Sequence, residues 1–151
     1  MTLTQKESSL LEDMKSQESL CITKYNKYAE LACDPALKSI FTSLSQNEGK
    51  HLDTVTQILS GCEVKMPATP PSAAEDVTSC NASTCTPADK QNDCYLVKDA
   101  LAMEKHVSSV YNTAIFEFKS PTLRDTLAHI QKEEQNHGER LYSYLSCNNM
   151  Y

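Results

Sequence analysis

Residues 123–145 read LRDTLAHIQKEEQNHGERLYSYL, and this stretch decides the fold. Leu123, Leu127, Ile130, Glu134, His137, Leu141 and Leu145 recur in steps of three and four, so they share one helix face. That face is apolar except at its middle, where Glu134 and His137 stand three residues apart. Residues 37–59, LKSIFTSLSQNEGKHLDTVTQIL, do the same with Leu37, Phe41, Leu44, Glu48, His51, Val55 and Leu59.

The likeness extends outward without a gap. At an offset of 86 residues Leu10 pairs with Leu96, Asp13 with Asp99, Glu18 with Glu104, Tyr25-Asn26 with Tyr111-Asn112, and Pro35 with Pro121. The chain is therefore an internal duplication, and two copies imply two similar halves about a pseudo-two-fold axis. In each half a second stripe precedes the first. Leu11, Met14, Glu18, Ile22 (with Cys21), Tyr25 and Ala29 form one; Val97, Ala100, Glu104, Val107, Tyr111, Ile115 and Phe118 form the other. Each again carries one central glutamate.

Each half thus reads as a helical hairpin, over 4–60 and 91–147. Thr4 with Glu7 makes a capping box. Asp34-Pro35 and Ser120-Pro121 each supply a cap and a first-turn proline. Gly61 stops the second helix. Residues 61–90 differ in kind: Pro67, Pro70, Pro71 and Pro87 among Ala, Ser and Thr have linker composition. Helices of about 25 residues are about 38 Å long, and about thirty extended residues cover that distance easily. The expectation is a single all-α domain over 1–151, a ferritin-like four-helix bundle with a long crossover linker.

Four glutamates on apolar stripes are too costly to bury unless they protonate or meet cations. Two divalent ions bring four positive charges, and neutral imidazoles complete the shells. One glutamate from each of two helices, plus Glu-x-x-His from the other two, is the pattern of carboxylate-bridged di-iron and di-manganese bundles. The candidate ligands are Glu18, Glu48, His51, Glu104, Glu134 and His137. Mixed oxygen and nitrogen ligation suits iron or manganese, and zinc is compatible. The same six residues also admit a metal-free reading as mutually satisfied Glu–His pairs. Tyr25 and Tyr111, two turns beyond Glu18 and Glu104, are placed to hydrogen-bond a ligand carboxylate or to serve as core aromatics. His106 points off its stripe, and His129 is expected to be exposed. Gly49 and Gly138 sit beside the ligands, either for close helix approach or incidentally.

A net charge of −6 argues against general nucleic-acid binding, which needs a basic face. No apolar run approaches the roughly 20 residues of a membrane span, and no secretory signal is visible at the N-terminus. Synthesis and folding inside a cell are expected. There a reducing milieu would keep most of the seven cysteines as thiols. Cys21 reads as a small core residue. Cys62, Cys80, Cys85, Cys94 and Cys147, in the linker or near helix ends, are expected to be accessible and able to crosslink subunits once oxidant arrives.

Particular motifs carry a family resemblance. Leu3-Thr4-Gln5-Lys6-Glu7, Lys24-Tyr25 with Tyr28-Ala29, and Asp34-Pro35 with Leu37 stand in the first half. The second holds Glu104-Lys105-His106-Val107-Ser108-Ser109, Tyr111-Asn112-Thr113, Ile115-Phe116-Glu117-Phe118, Leu123-Arg124-Asp125, Ile130-Gln131-Lys132-Glu133-Glu134-Gln135 and His137-Gly138. It closes on Leu141-Tyr142, Tyr144 and Asn149-Met150-Tyr151. Over roughly 3–60 and 93–151 the chain resembles the Coat F family of spore coat proteins, in its clostridial branch. Asn148-Asn149 stands where relatives often have a glycine. The resemblance implies a ferritin-like fold, synthesis in the mother cell, a place in the spore coat, and self-assembly or other coat proteins as partners. It supplies no catalytic residues. Two functions follow as expectations. The first is a structural coat component with a metal-stabilised bundle. The second is a di-metal redox enzyme consuming peroxide or oxygen, of rubrerythrin-like or manganese-catalase-like type. No Cys-x-x-Cys module is present for the rubrerythrin version, and nothing in the sequence points to a hollow iron-storage shell.

Overall fold

Four polar residues start four helices. The computed structural model describes residues 2–64 and 84–151, and in them the helices are α1 (Gln5–Leu31), α2 (Pro35–Leu59), α3 (Pro87–Glu117) and α4 (Pro121–Cys147). Thr4 and Glu7 close the expected capping box on α1. The Asp34 carboxylate accepts from the Ala36 amide at 2.8 Å, and Ser120 Oγ accepts from the Leu123 amide at 3.4 Å. Such caps satisfy amides that have no partner inside the helix, each contributing roughly 1 kcal/mol. The start of α3 departs from expectation. Thr86 and Asp89 form a second capping box with Pro87 in the first turn, so α3 begins inside the stretch read as linker. Pro67, Pro70, Pro71 and Cys80 lie outside the described residues.

At the other ends, Gly61 takes φ 77° after α2, and Asn149 takes φ 55° after α4. Both lie in the left-handed region that closes helices. Asn149 does what a glycine would do there, since asparagine tolerates this conformation better than most residues.

The helices pack as two pairs, α1 with α2 and α3 with α4, and the pairs join through α1 against α3 and α2 against α4. Two corner contacts fix the directions. The Lys119 amide, between α3 and α4, donates to Glu7 at 2.9 Å; the Cys33 and Asp34 amides, between α1 and α2, donate to Asp93 at 2.9 Å each. Glu7 and Asp93 are 86 residues apart, and so are Cys33 and Lys119, so these contacts are pseudo-symmetry mates. α1 and α3 therefore run antiparallel, and α2 ends at the opposite end of the bundle from where α3 begins. This is the arrangement a long crossover serves.

All seven positions of the α4 stripe are buried. Elsewhere the stripe rotates slightly: Ile58 and Ala114 are buried where Leu59 and Ile115 were expected, and of the expected pair Cys21 and Ile22 only Cys21 is buried. Each fully buried Leu or Phe contributes about 1.5–3 kcal/mol. The cysteines depart further. Cys33 is bonded to Cys85, Cα–Cα 6.1 Å, which ties the α1–α2 corner to the residues just ahead of α3. Cys147 is also disulfide-bonded. Neither Cys85 nor Cys147 is an accessible thiol, which corrects the expectation made for both. Cys62 is exposed, Cys94 half-buried, and Cys21 buried as expected.

Candidate metal centre

The four helices bring all six expected ligands to one level of the core. Glu18, Glu48, His51, Glu104, Glu134 and His137 are each 3% exposed or less. Their ligand atoms form two tetrads, Glu18–Glu48–His51–Glu134 and Glu48–Glu104–Glu134–His137, with the atoms of each within 4.8 Å of one another. Glu48 and Glu134, the glutamates of the two Glu-x-x-His pairs, belong to both.

Both imidazoles turn Nδ1 inward. His51 Nδ1 lies 2.9 Å from Glu48, 3.1 Å from Glu134 and 3.8 Å from Glu18. His137 Nδ1 lies 3.3 Å from both Glu48 and Glu134 and 3.6 Å from Glu104. The rings stack with centroids 5.7 Å apart. The tyrosines complete the set crosswise: Tyr25 donates to Glu104, and Tyr111 donates to Glu18. Each tyrosine thus serves the glutamate of the other hairpin.

Protons balance the charges of the cluster. Burial pushes the Glu18 carboxyl up to about 8 and, together with the Glu134 charge, raises Glu104 well above the carboxylate range. Burial works the same way on Glu48 and Glu134, but the neighbouring His137 and His51 imidazoles outweigh it and hold both below the usual value. Burial opposes charge on the imidazoles, yet the surrounding carboxylates raise His51 and His137 well above theirs. Within the six residues these directions favour two imidazolium ions, two carboxylates and two neutral carboxyls, a sum of zero, while the adjoining Glu133, held low beside His51, adds one negative charge.

Even so, six polar atoms of the cluster have no hydrogen-bond partner: one oxygen each of Glu18, Glu48 and Glu104, both of Glu134, and Nδ1 of His137. Orphaned buried oxygens of this kind cost about 1–3 kcal/mol each. Here they converge with two inward imidazole nitrogens, a donor set that could hold a metal ion. A cavity of about 490 Å³ on the α3–α4 surface is lined in part by Gly138, Tyr142 and Tyr151 and borders Glu104 and Glu134, whose unpaired oxygens stay buried.

Other expected residues stand apart. His106 is exposed. The His129 side chain is 13% exposed rather than open to solvent, 3.8 Å from Glu133. Gly49 has no neighbour where a Cβ would stand, and Gly138 meets only Leu101 Cδ1 at 3.6 Å, so neither glycine is required by close helix approach. One residue escaped the sequence reading: Glu133 accepts from His51 Nε2 at 2.9 Å. Its signal was available, because Glu133 and Asn47 precede their Glu-x-x-His motifs at equivalent positions in the two halves.

No curated protein and no solved structure matches the chain. The Coat F domain family model matches residues 92–151, which covers most of α3, all of α4 and the C-terminal residues. The resemblance read over residues 3–60 lies outside that match. Through α3, α4 and the residues that follow them, the chain is similar to the Coat F domain.

Proposed function

We propose that this chain is a structural protein of the spore coat, a single ferritin-like domain whose core holds two divalent ions, iron or manganese. The observation that carries the metal reading is the pair of buried tetrads sharing Glu48 and Glu134. Shared carboxylates between two imidazole-capped positions are how bundles of this type bridge two metals. Glu18 and Glu104 would close the outer sides, with Tyr25 and Tyr111 holding their second oxygens. The Coat F domain supports the coat assignment, and no helix among the described residues is long and apolar enough to cross a membrane. On this reading the chain is made in the mother cell and assembles with its own copies or other coat proteins. The exposed Cys62 is then the thiol best placed to crosslink neighbours.

One observation bears on the redox alternative: a surface cavity whose lining includes Glu104 and Glu134. Consumption of peroxide or oxygen would need that cavity to open onto the buried carboxylates, which a structural ion does not require. Bound iron or manganese would supply the electron-transfer capacity for such a reaction.

The test is metal analysis of protein purified without chelators. About two iron or manganese per chain, lost in Glu48→Ala, supports the metal reading. Peroxide-dependent turnover lost in the same variant would make the protein an enzyme. No retained metal, and no spectral change with Fe(II) and air, overturns the metal reading and leaves a coat component.

A further inference from the structure

The two halves match across the cluster except at one pair of positions. His51 Nε2 faces the Glu133 carboxylate at 2.9 Å, while His137 Nε2 faces the Asn47 side-chain nitrogen, Nδ2, at 3.5 Å. Glu133 and Asn47 are equivalent by the 86-residue offset, so one half places a carboxylate where the other places an amide. A carboxylate accepting from the outer N–H of a ligating histidine fixes its tautomer and raises its donor strength. Asn47 turns its NH2, a donor, toward His137, and even its carbonyl would be a weaker acceptor than a carboxylate. The surroundings differ in the same sense. The cavity borders Glu104, which belongs only to the His137 tetrad.

We propose that the two metal positions are unequal, and that Glu133 is the positioning residue that makes them so. The position among Glu18, Glu48, His51 and Glu134 fills first and holds its ion more tightly. The position among Glu48, Glu104, Glu134 and His137 fills second, exchanges faster, and is the one whose own glutamate, Glu104, borders the cavity. This rests on the two-ion reading above and adds an order to it. Glu133 is half-exposed, so its amide variant keeps the fold.

The experiment is calorimetric titration of metal-depleted full-length protein with Mn(II), followed by Co(II) with its visible absorption, in wild type, Glu133→Gln and Asn47→Asp. Wild type is expected to bind in two resolved steps. Glu133→Gln should weaken the tighter step by roughly tenfold or more while leaving the second step and the stoichiometry unchanged. Asn47→Asp should strengthen the weaker step and draw the two together. A general structural defect would move both steps alike. Two ions bound in wild type with neither variant changing the split would overturn the inequality while leaving the two-ion reading intact. No binding in wild type would overturn that reading and the inequality with it.

Discussion

The hydroxyl of Tyr25 on α1 donates a hydrogen bond to the carboxyl group of Glu104 on α3. The duplication repeats it from Tyr111 to Glu18, so the two hairpins are stitched together through the groups that would hold metal. Neither tyrosine is exposed at all. Tyr25→Phe and Tyr111→Phe each leave a buried carboxyl oxygen without its donor and should destabilise the fold by about 1–3 kcal/mol. Urea melts check this. Equal losses in the two variants are expected from the symmetry of the contacts.

Stability without metal should fall as pH rises. Glu18 and Glu104 hold their protons more tightly folded than unfolded, and so do His51 and His137. Between the ordinary carboxylate pKa and the raised ones the unfolded chain binds fewer protons, so stability declines with pH. The contribution of the histidines is full below their unfolded pKa and is lost as pH rises through the folded value. Glu48 and Glu134, held low, contribute above the ordinary carboxylate range and lose this as pH falls. Melting temperatures measured in chelator should peak in mildly acidic buffer and drop toward pH 9.

Metal uptake should release protons. Two divalent ions entering the balanced cluster displace those of Glu18, Glu104, His51 and His137. Titration calorimetry in two buffers of different ionisation heat measures the count, expected to approach four near neutral pH. Apparent affinity should rise steeply with pH, opposite to the trend in metal-free stability.

Gly49→Ala should stabilise the protein by about 0.5–1 kcal/mol. The added Cβ meets nothing within 4 Å, so the helix loses a flexible residue at no steric cost. Thermal melts of the variant check it.

Cys85→Ser opens a disulfide spanning 52 residues. Loop entropy of this size corresponds to roughly 2–4 kcal/mol. Wild type under reductant loses this bond and the one at Cys147 as well, so its denaturant midpoint should drop at least as far, and Cys85→Ser should be less sensitive to reductant.

The helices and the six-residue cluster were legible because both are periodic. Glu134 and His137 fall on a face whose every other member is apolar, and the same pattern occurs again 86 residues away. Three features were not read. The capping box of Thr86 and Asp89 uses the same device as Thr4 and Glu7, but the prolines upstream of it suggested linker up to residue 90. The partnership of His51 with Glu133 spans two helices, and only their packing decides which neighbour faces the outer nitrogen. The bond between Cys33 and Cys85 depends on where the chain returns after the crossover, which spacing alone does not fix. His129 was read as exposed because it precedes a core position, yet it lies over the α4 surface beside Glu133.

The claim on which the rest depends is that two ions sit between Glu48 and Glu134. Crystals grown with Mn(II) and measured at its absorption edge test it directly. Two anomalous peaks should appear, one among Glu18, Glu48, His51 and Glu134, the other among Glu48, Glu104, Glu134 and His137. A core without anomalous density at saturating Mn(II), its glutamates and histidines paired only with one another, would contradict it.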